Sequence, residues 1–186
     1  MDGYGSRFPR ELRFAEESRL IYSIAILAFV TIERVAELFL ARRNTARLLA
    51  RGAKEYAPSH YPLIVALHAA WLAGLWWLGW DRQVQPVWLA AFALLQTLRV
   101  WVLVTLGERW TTRIIILPGA PLVRTGPYRF LNHPNYVVVV GEIATLPLAF
   151  DLPLYALAFS LLNGVVLWNR ISAENAALRR APHLVQ

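Results

Sequence analysis

Five apolar stretches separated by polar or turn residues divide the sequence, at residues 20–40, 62–80, 86–106, 136–150 and 154–168. The hydrocarbon core of a bilayer is about 30 Å thick and needs about 20 apolar residues in a helix, so the first three stretches match a transmembrane span. The last two are shorter. We expect the fourth helix to begin near His133 and the fifth to continue beyond the bilayer.

The composition agrees with that pattern, because 57% of the 186 residues are hydrophobic and 17% are charged, against about 25% charged in soluble domains. A water-soluble enzyme of this size could not bury so much apolar surface. The chain is also too hydrophobic to be disordered. The sequence predicts an all-α polytopic membrane bundle of about five transmembrane helices. We expect one membrane domain, with an N-terminal interfacial segment (1–19), three spans (20–106) and a C-terminal half with two more (107–186).

Basic residues gather after alternate spans, which orients the chain because cytoplasmic loops are rich in Lys and Arg. Twelve follow the first, third and fifth spans: Arg42, Arg43, Arg47, Arg51, Lys54, Arg109, Arg113, Arg124, Arg129, Arg170, Arg179 and Arg180. We expect an inner-membrane protein with its N-terminus outside and its C-terminus in the cytoplasm. Topology and anionic lipids explain the net charge of +7 better than nucleic acid does.

Two classes of site are disfavoured by composition. The chain has no Cys, which excludes disulfides and thiolate nucleophiles. Its 4 His form no HExxH motif, so we expect no metal site. Five tryptophans around the second and third spans resemble an interfacial aromatic belt, without a catalytic role: Trp71, Trp76, Trp77, Trp80 and Trp88.

Chemistry-bearing residues concentrate in two clusters of the C-terminal half. The first, at 124–136, reads RTGPYRFLNHPNY and contains a Gly-Pro turn. Pro134 suits a first helical position with His133 as the cap, and the positive dipole end of such a helix attracts an anion. The second cluster contains Arg170 and Glu174, which are four residues apart and therefore share a helix face. Taken singly, either cluster could be a headgroup-binding loop or a surface ion pair.

Together, the clusters resemble the isoprenylcysteine carboxyl methyltransferase family and the related membrane phospholipid methyltransferases. The resemblance rests on Gly126-Pro127-Tyr128-Arg129, on Asn132-His133-Pro134-Asn135-Tyr136, and on Arg170 with Glu174. It implies S-adenosylmethionine binding in a cytoplasmic pocket formed by the C-terminal half. The implied cofactor-binding residues are Gly126, Pro127, Tyr128, Arg129, His133, Tyr136, Glu174 and Asn175. The chain departs from the family pattern at Asn132, where Arg is usual, and at Asn175, where a second Glu is usual.

The front half resembles a bacterial branch of that family that O-methylates alkylpyrones and related phenolic lipids, through residues 33–38, 41–44 and 52–55. A lipidic acceptor is therefore implied, preferably with a phenolic or pyrone hydroxyl and otherwise an isoprenylcysteine carboxylate. Two alternatives remain open. One is an NADPH-dependent, sterol-reductase-like oxidoreductase, which would share the sequence from His133 to Tyr136; the other is a non-enzymatic membrane binding protein.

Ionisable residues within the spans are expensive and usually functional. Glu33 and Glu37 lie one turn apart in the first span, and Arg99 lies in the third. They could line the acceptor pocket, or Arg34 and Arg99 could neutralise the acids and lock the bundle.

Glu142 has no basic partner in its own span. It is a candidate general base for a phenol, beside Arg170 as the second candidate catalytic residue, because burial raises the pKa of a carboxyl group. A structural hydrogen bond from Glu142 to a neighbouring helix is the alternative.

Overall fold

A computed structural model describes residues 10–180. Five helices account for most of them: α1 (Arg10–Ala50), α2 (Tyr61–Gly79), α3 (Pro86–Leu106), α4 (Pro134–Ala149) and α5 (Pro153–Arg180). Two short strands, β1 (Lys54–Tyr56) and β2 (Ile114–Ile116), and three 3-10 turns, Pro58–His60, Gly107–Arg109 and Gly126–Arg129, connect them. The predicted all-α membrane bundle is confirmed.

Three segments are long and apolar enough to cross a membrane: Tyr61–Gly79, Pro86–Arg109 and Pro153–Ala177. Helix α4 is apolar but has 16 residues, and α1 carries Glu33, Arg34 and Glu37 in its apolar stretch. The count of five spans stays a prediction. Of the N-terminal interfacial segment predicted at 1–19, residues 1–9 lie outside the described range, and residues 10–19 are the first turns of α1.

Helix α4 is the centre of the bundle and packs most extensively against α3 and α5. Gly141 permits the close approach to α3, because a Cβ there would overlap the side chain of Leu95. Helix α2 packs more sparsely on its neighbours. The largest apolar core cluster unites four helices and the residue after α4: Leu27, Val30, Trp71, Leu75, Phe92, Ile143, Leu146 and Phe150.

The structure agrees with the predicted interfacial tryptophan belt for only some of its residues. Trp77, Trp80 and Trp88 are exposed, as the belt predicts, and Trp77 is 83% exposed. Trp71 is 2% exposed and belongs to the core, so its predicted place in the belt is wrong. The sequence could not separate the two environments, because every face of α2 is apolar except at His68.

The strands were not predicted from the sequence. They pair antiparallel, with Lys54 opposite Ile116 and Tyr56 opposite Ile114. An ion pair between Arg113 and Glu55, at 2.8 Å, reinforces the pairing. Each strand has three residues and depends on a partner about 60 residues away, so no local periodicity marks it. The pairing ties the segment after α1 to the segment after α3.

A buried ion network joins α1, α3 and α4. Arg99 donates through Nε and Nη2 to Glu142 and through Nη1 to both oxygens of Glu37, at 2.8 and 2.9 Å. Arg34 donates to Glu37 and Glu142, each at 3.0 Å. Glu33 lies 3.5 Å from Arg34 and accepts from Gln96. The observed contacts therefore agree with the prediction that Arg34 or Arg99 neutralises these acids.

Removing the central guanidinium should destabilise the bundle. In Arg99→Met, Glu37 and Glu142 remain buried and lose the more buried of the two arginines that they share, Arg34 being the other. Breaking a buried pair from one side costs about 3–5 kcal/mol. We expect the free energy of unfolding in detergent to fall by about that amount. Arg47→Met is the matched control, because Arg47 pairs with Glu108 where both are at least half exposed, and it should cost under about 1 kcal/mol. Equal effects of the two substitutions would contradict a structural role for the network.

Candidate functional site

A cavity of about 880 Å³ opens at the end of the bundle where α1, α3 and α5 end and α4 begins. Strand β2 forms one wall, and the Gly126–Arg129 turn, the start of α4 and the last turns of α5 form the others. The two polar clusters of the sequence thus meet in one place although they lie about 40 residues apart. We call this space the polar cavity.

Tyr136 connects the two clusters. Its hydroxyl donates a hydrogen bond to Glu174 and accepts one from Arg170 Nε at 3.0 Å. Arg170 and Glu174 both reach this one hydroxyl because they are one helical turn apart on α5. The ring of Tyr136 stacks on His133, with centroids 5.1 Å apart and planes inclined by 19°. One tyrosine therefore fixes α4 against α5 at the floor of the polar cavity.

Helix α4 begins at Pro134 with His133 in the capping position, as the sequence predicts. The His133 side chain makes no capping hydrogen bond and stacks on Tyr136 instead. The backbone N–H of Tyr136 donates to the His133 carbonyl at 3.0 Å, so the helix start offers fewer free donors than expected.

The Gly126–Arg129 turn needs glycine at its first position. Gly126 has φ 55°, in the left-handed region, and a Cβ there would overlap the Thr105 side chain of α3. Gly126 and the buried Pro127 support the turn from behind, whereas Tyr128 and Arg129 line the polar cavity. Burial and the nearby Glu174 carboxylate raise the pKa of Tyr128 to about 12, so its phenol remains a hydrogen-bond donor at neutral pH.

The polar cavity is strongly basic. Glu174 is the one acidic side chain among the described residues that line it, and five arginines face it: Arg109, Arg113, Arg124, Arg129 and Arg170. Asn132 and Asn175, the two departures from the family pattern, line it as well. A ligand in this cavity could place a carboxylate group next to one of the arginines. It could also place a ring with hydroxyl groups next to Glu174. Among the described residues, no group of three or more His, Asp and Glu side chains is placed to hold a metal ion.

A second, smaller space of about 270 Å³ lies beside the first, between α1, α2, α4 and α5. Its walls are mainly aliphatic and aromatic, including Val65, Leu72 and Leu167, so we call it the apolar cavity. The two cavities share a wall made of five residues: Trp110, Thr111, Asn135, Tyr136 and Arg170. The two cavities are therefore next to each other, with these five residues between them.

The three residues expected in the acceptor pocket, and the candidate base Glu142, divide between two environments. Glu37 and Arg99 line the apolar cavity together with Arg34. Glu33 and Glu142 line neither cavity. Both carboxylate oxygens of Glu142 face guanidinium groups, which favours the structural alternative over a free base. The partners come from α3 and α1, so the sequence of its own span could not reveal them.

Several lining residues were missed by sequence reasoning. Trp110 and Thr111 belong to the loop after α3 and carry no motif, and Asn135 stood inside the motif without a role. Oδ1 of Asn135 is buried without a partner among the described residues, at the shared wall. His68 is the single ionisable residue in the apolar stretch at 62–80, and it lines the apolar cavity.

Comparisons with known proteins agree with this arrangement. The model of the isoprenylcysteine carboxyl methyltransferase (ICMT) family matches residues 88–180, which include most of α3, all of α4 and α5 and both polar clusters. The protein YpbQ of Bacillus subtilis, described as uncharacterized, is 36% identical over 167 residues, covering 83% of this chain and 95% of its own. An uncharacterized protein of Haemophilus influenzae is 26% identical over 152 residues, covering 78% of this chain and 88% of its own. No solved structure matches significantly.

The family match and the bundle geometry lead to one conclusion. The match covers half of the chain, and the residues that carry the family motif converge on the polar cavity. The chain therefore belongs to the isoprenylcysteine carboxyl methyltransferase family of membrane methyltransferases.

Proposed function

We propose that the protein transfers a methyl group from S-adenosylmethionine to an oxygen atom of a lipidic acceptor. The observation that carries this proposal is the shared wall between a polar and an apolar cavity. A polar, charged donor and an apolar acceptor need different surroundings but must touch at one point. We expect the two molecules to approach each other beside Tyr136, Asn135 and Arg170, which line both cavities.

The residues of the polar cavity suit the donor. An arginine such as Arg129 can hold its carboxylate, and Glu174 can accept hydrogen bonds from ribose hydroxyls. The Tyr136 ring can stabilise a cationic sulfur. When bound, S-adenosylmethionine supplies a methyl group attached to a positively charged sulfur.

The chain's own part in the reaction is positioning and exclusion of water. Tyr136 is held from two sides by Arg170 and Glu174, so the shared wall is rigid where donor and acceptor meet. Correct placement of two reactants can lower the activation free energy of the reaction by several kcal/mol. The apolar cavity keeps water from the reacting oxygen and admits a lipid from the side, where α2 packs sparsely.

The preferred acceptor is the hydroxyl group of a phenolic or pyrone lipid, with an isoprenylcysteine carboxylate as the competing class. We also propose that the polar cavity faces the cytoplasm of a bacterial cell, with the N-terminus outside the inner membrane. Arg47 and Arg51 at the end of α1 approach Glu108 after α3, so two of the basic segments lie at the same end of the bundle as the polar cavity.

Donor binding can be tested without knowing the acceptor. Glu174→Ala removes the carboxylate that Tyr136 contacts, and the loss of a hydrogen bond to a charged group should weaken S-adenosylhomocysteine binding about 10- to 100-fold in detergent-purified protein. Glu108→Ala is the control, because Glu108 lines neither cavity. Tight binding of NADPH with no binding of S-adenosylhomocysteine would refute the methyltransferase proposal in favour of an oxidoreductase.

Transfer of a labelled methyl group tests which class of acceptor the protein prefers. We expect incorporation into an alkylresorcinol or an alkylpyrone in membranes that contain the protein, exceeding incorporation into farnesylcysteine by about tenfold or more. That margin corresponds to about 1.4 kcal/mol of discrimination between the two transition states. The control is the same labelling assay with Tyr136→Phe protein, which lacks the hydroxyl that Arg170 and Glu174 contact. Preferential labelling of farnesylcysteine would reverse the order of the two acceptor classes.

Glu142→Gln separates a positioning role from a catalytic one. The amide keeps an acceptor for Arg99 but loses the charge, so we expect lower turnover on a hydroxylated lipid while S-adenosylhomocysteine binds normally. If Glu142 is the base, turnover should recover as pH rises, because the acceptor phenol ionises by itself near pH 10. If Glu142 positions the bundle, the deficit persists at all pH values and the melting temperature falls.

A further inference from the structure

The buried ion network of α1, α3 and α4 contains more acidic than basic side chains. It has two guanidinium groups, those of Arg34 and Arg99, and three carboxyl groups, those of Glu33, Glu37 and Glu142. If every group were ionised, the network would hold one uncompensated negative charge. Such a charge is strongly unfavourable away from water, and a carboxyl group avoids the cost by keeping its proton.

The neighbouring helices α2 and α5 do not supply the missing positive charge. Their titratable side chains beside the network are His68 and Arg170, which line the apolar cavity. His68 is hydrogen bonded to the Ile64 carbonyl and, among the described residues, pairs with none of the three carboxyl groups. Arg170 binds the Tyr136 hydroxyl that also contacts Glu174, so the charges of Arg170 and Glu174 compensate each other. We therefore expect one carboxyl group of the network to be protonated.

The contacts of the three acids single out Glu33. Glu37 and Glu142 each accept hydrogen bonds from both arginines, at 3.0 Å or less. Glu33 has one guanidinium contact, to Arg34 at 3.5 Å, and its other partner is the neutral amide of Gln96. Its side chain is 19% exposed but lines neither cavity, so part of it faces the surrounding lipid, where an ionised group is costly. Protonation of Glu33 therefore sacrifices the weakest of the charge contacts.

Gln96 gives an independent indication of the proton. Its Oε1 is buried without a partner among the described residues, while its Nε2 donates to Glu33. An ionised carboxylate has no hydrogen to donate, whereas a carboxylic acid has one. An acid and a primary amide can form two hydrogen bonds side by side, from the amide N–H to the acid carbonyl oxygen and from the acid O–H to the amide oxygen. The first bond is present, and a proton on Glu33 provides the donor for the second.

We propose that Glu33 is a proton-binding site inside the bundle, protonated at neutral pH and hydrogen bonded to Gln96. The rest of the network then contains two guanidinium groups and two carboxylates and is electrically neutral. The site is independent of the proposed reaction, since neither methyl donor nor acceptor takes part in it. Glutamate is ionised at neutral pH in an unfolded chain, so unfolding releases this proton, and the stability that Glu33 contributes decreases as the pH rises.

Infrared spectroscopy detects the proton directly. Glu33→Gln replaces the proposed carboxylic acid with a neutral group of the same shape. Detergent-purified wild-type protein at neutral pH should show the C=O stretching band of a carboxylic acid, and Glu33→Gln should lack it. Glu108→Gln is the matched control, because Glu108 is exposed and pairs with Arg47 and Arg51, and it should leave the band unchanged. Identical carboxylic-acid bands in wild type and Glu33→Gln, or no such band in either, would overturn the proposal.

The unfolding equilibrium in detergent gives a second readout. At neutral pH, Glu33→Gln should change the unfolding equilibrium constant by less than about threefold. Glu37→Gln should raise it about 100-fold or more, because it neutralises a carboxylate held by two arginines. Between about pH 6 and about pH 7, the constant of wild type should rise about tenfold relative to that of Glu33→Gln. Equal pH dependence of the two proteins, or a loss of stability or folding in Glu33→Gln as large as in Glu37→Gln, would show that Glu33 is ionised in the folded protein.

Discussion

The guanidinium of Arg99 is the interaction on which the bundle depends. It is 3% exposed and uses all three of its nitrogen atoms to bind Glu37 of α1 and Glu142 of α4. Charges removed from water must be paired, because each unpaired ion would cost several kcal/mol. The long arginine side chains therefore hold α1 against α3 and α4 at a fixed spacing, and they specify which faces of these three helices meet.

Helix α2 contributes no charged side chain to that network. It is attached by apolar packing and a few directed hydrogen bonds, such as Tyr155 Oη to the Trp71 carbonyl at 2.8 Å. Gly74 allows that approach, since a Cβ there would overlap the tyrosine hydroxyl. The sparse packing of α2 leaves the apolar cavity between it and its neighbours, while the charged network closes one part of that cavity with Arg34, Glu37 and Arg99.

Sequence reasoning succeeded where chemistry is local. Pro134 and His133 predicted the start of α4, and the four-residue spacing of Arg170 and Glu174 predicted their common face, because cap preferences and helical periodicity act over a few residues. It was wrong for Trp71, which looks like its exposed neighbours, and it missed the three-residue strands. Neither burial within a uniformly apolar helix nor pairing across about 60 residues leaves a local pattern.

The sequence by itself determined an apolar helical bundle with basic segments after alternate spans and a family motif in its C-terminal half, because hydropathy and motif spacing are properties of the chain. Only the tertiary structure decided what the isolated charges do. It paired Glu142 with arginines from two other helices and joined Tyr136 to Glu174 and Arg170 at the wall between two cavities. It also placed His68, the one ionisable residue of an apolar stretch, in the wall of the apolar cavity. Hydrogen-bond partners depend on which helix faces meet, and no single span carries that information.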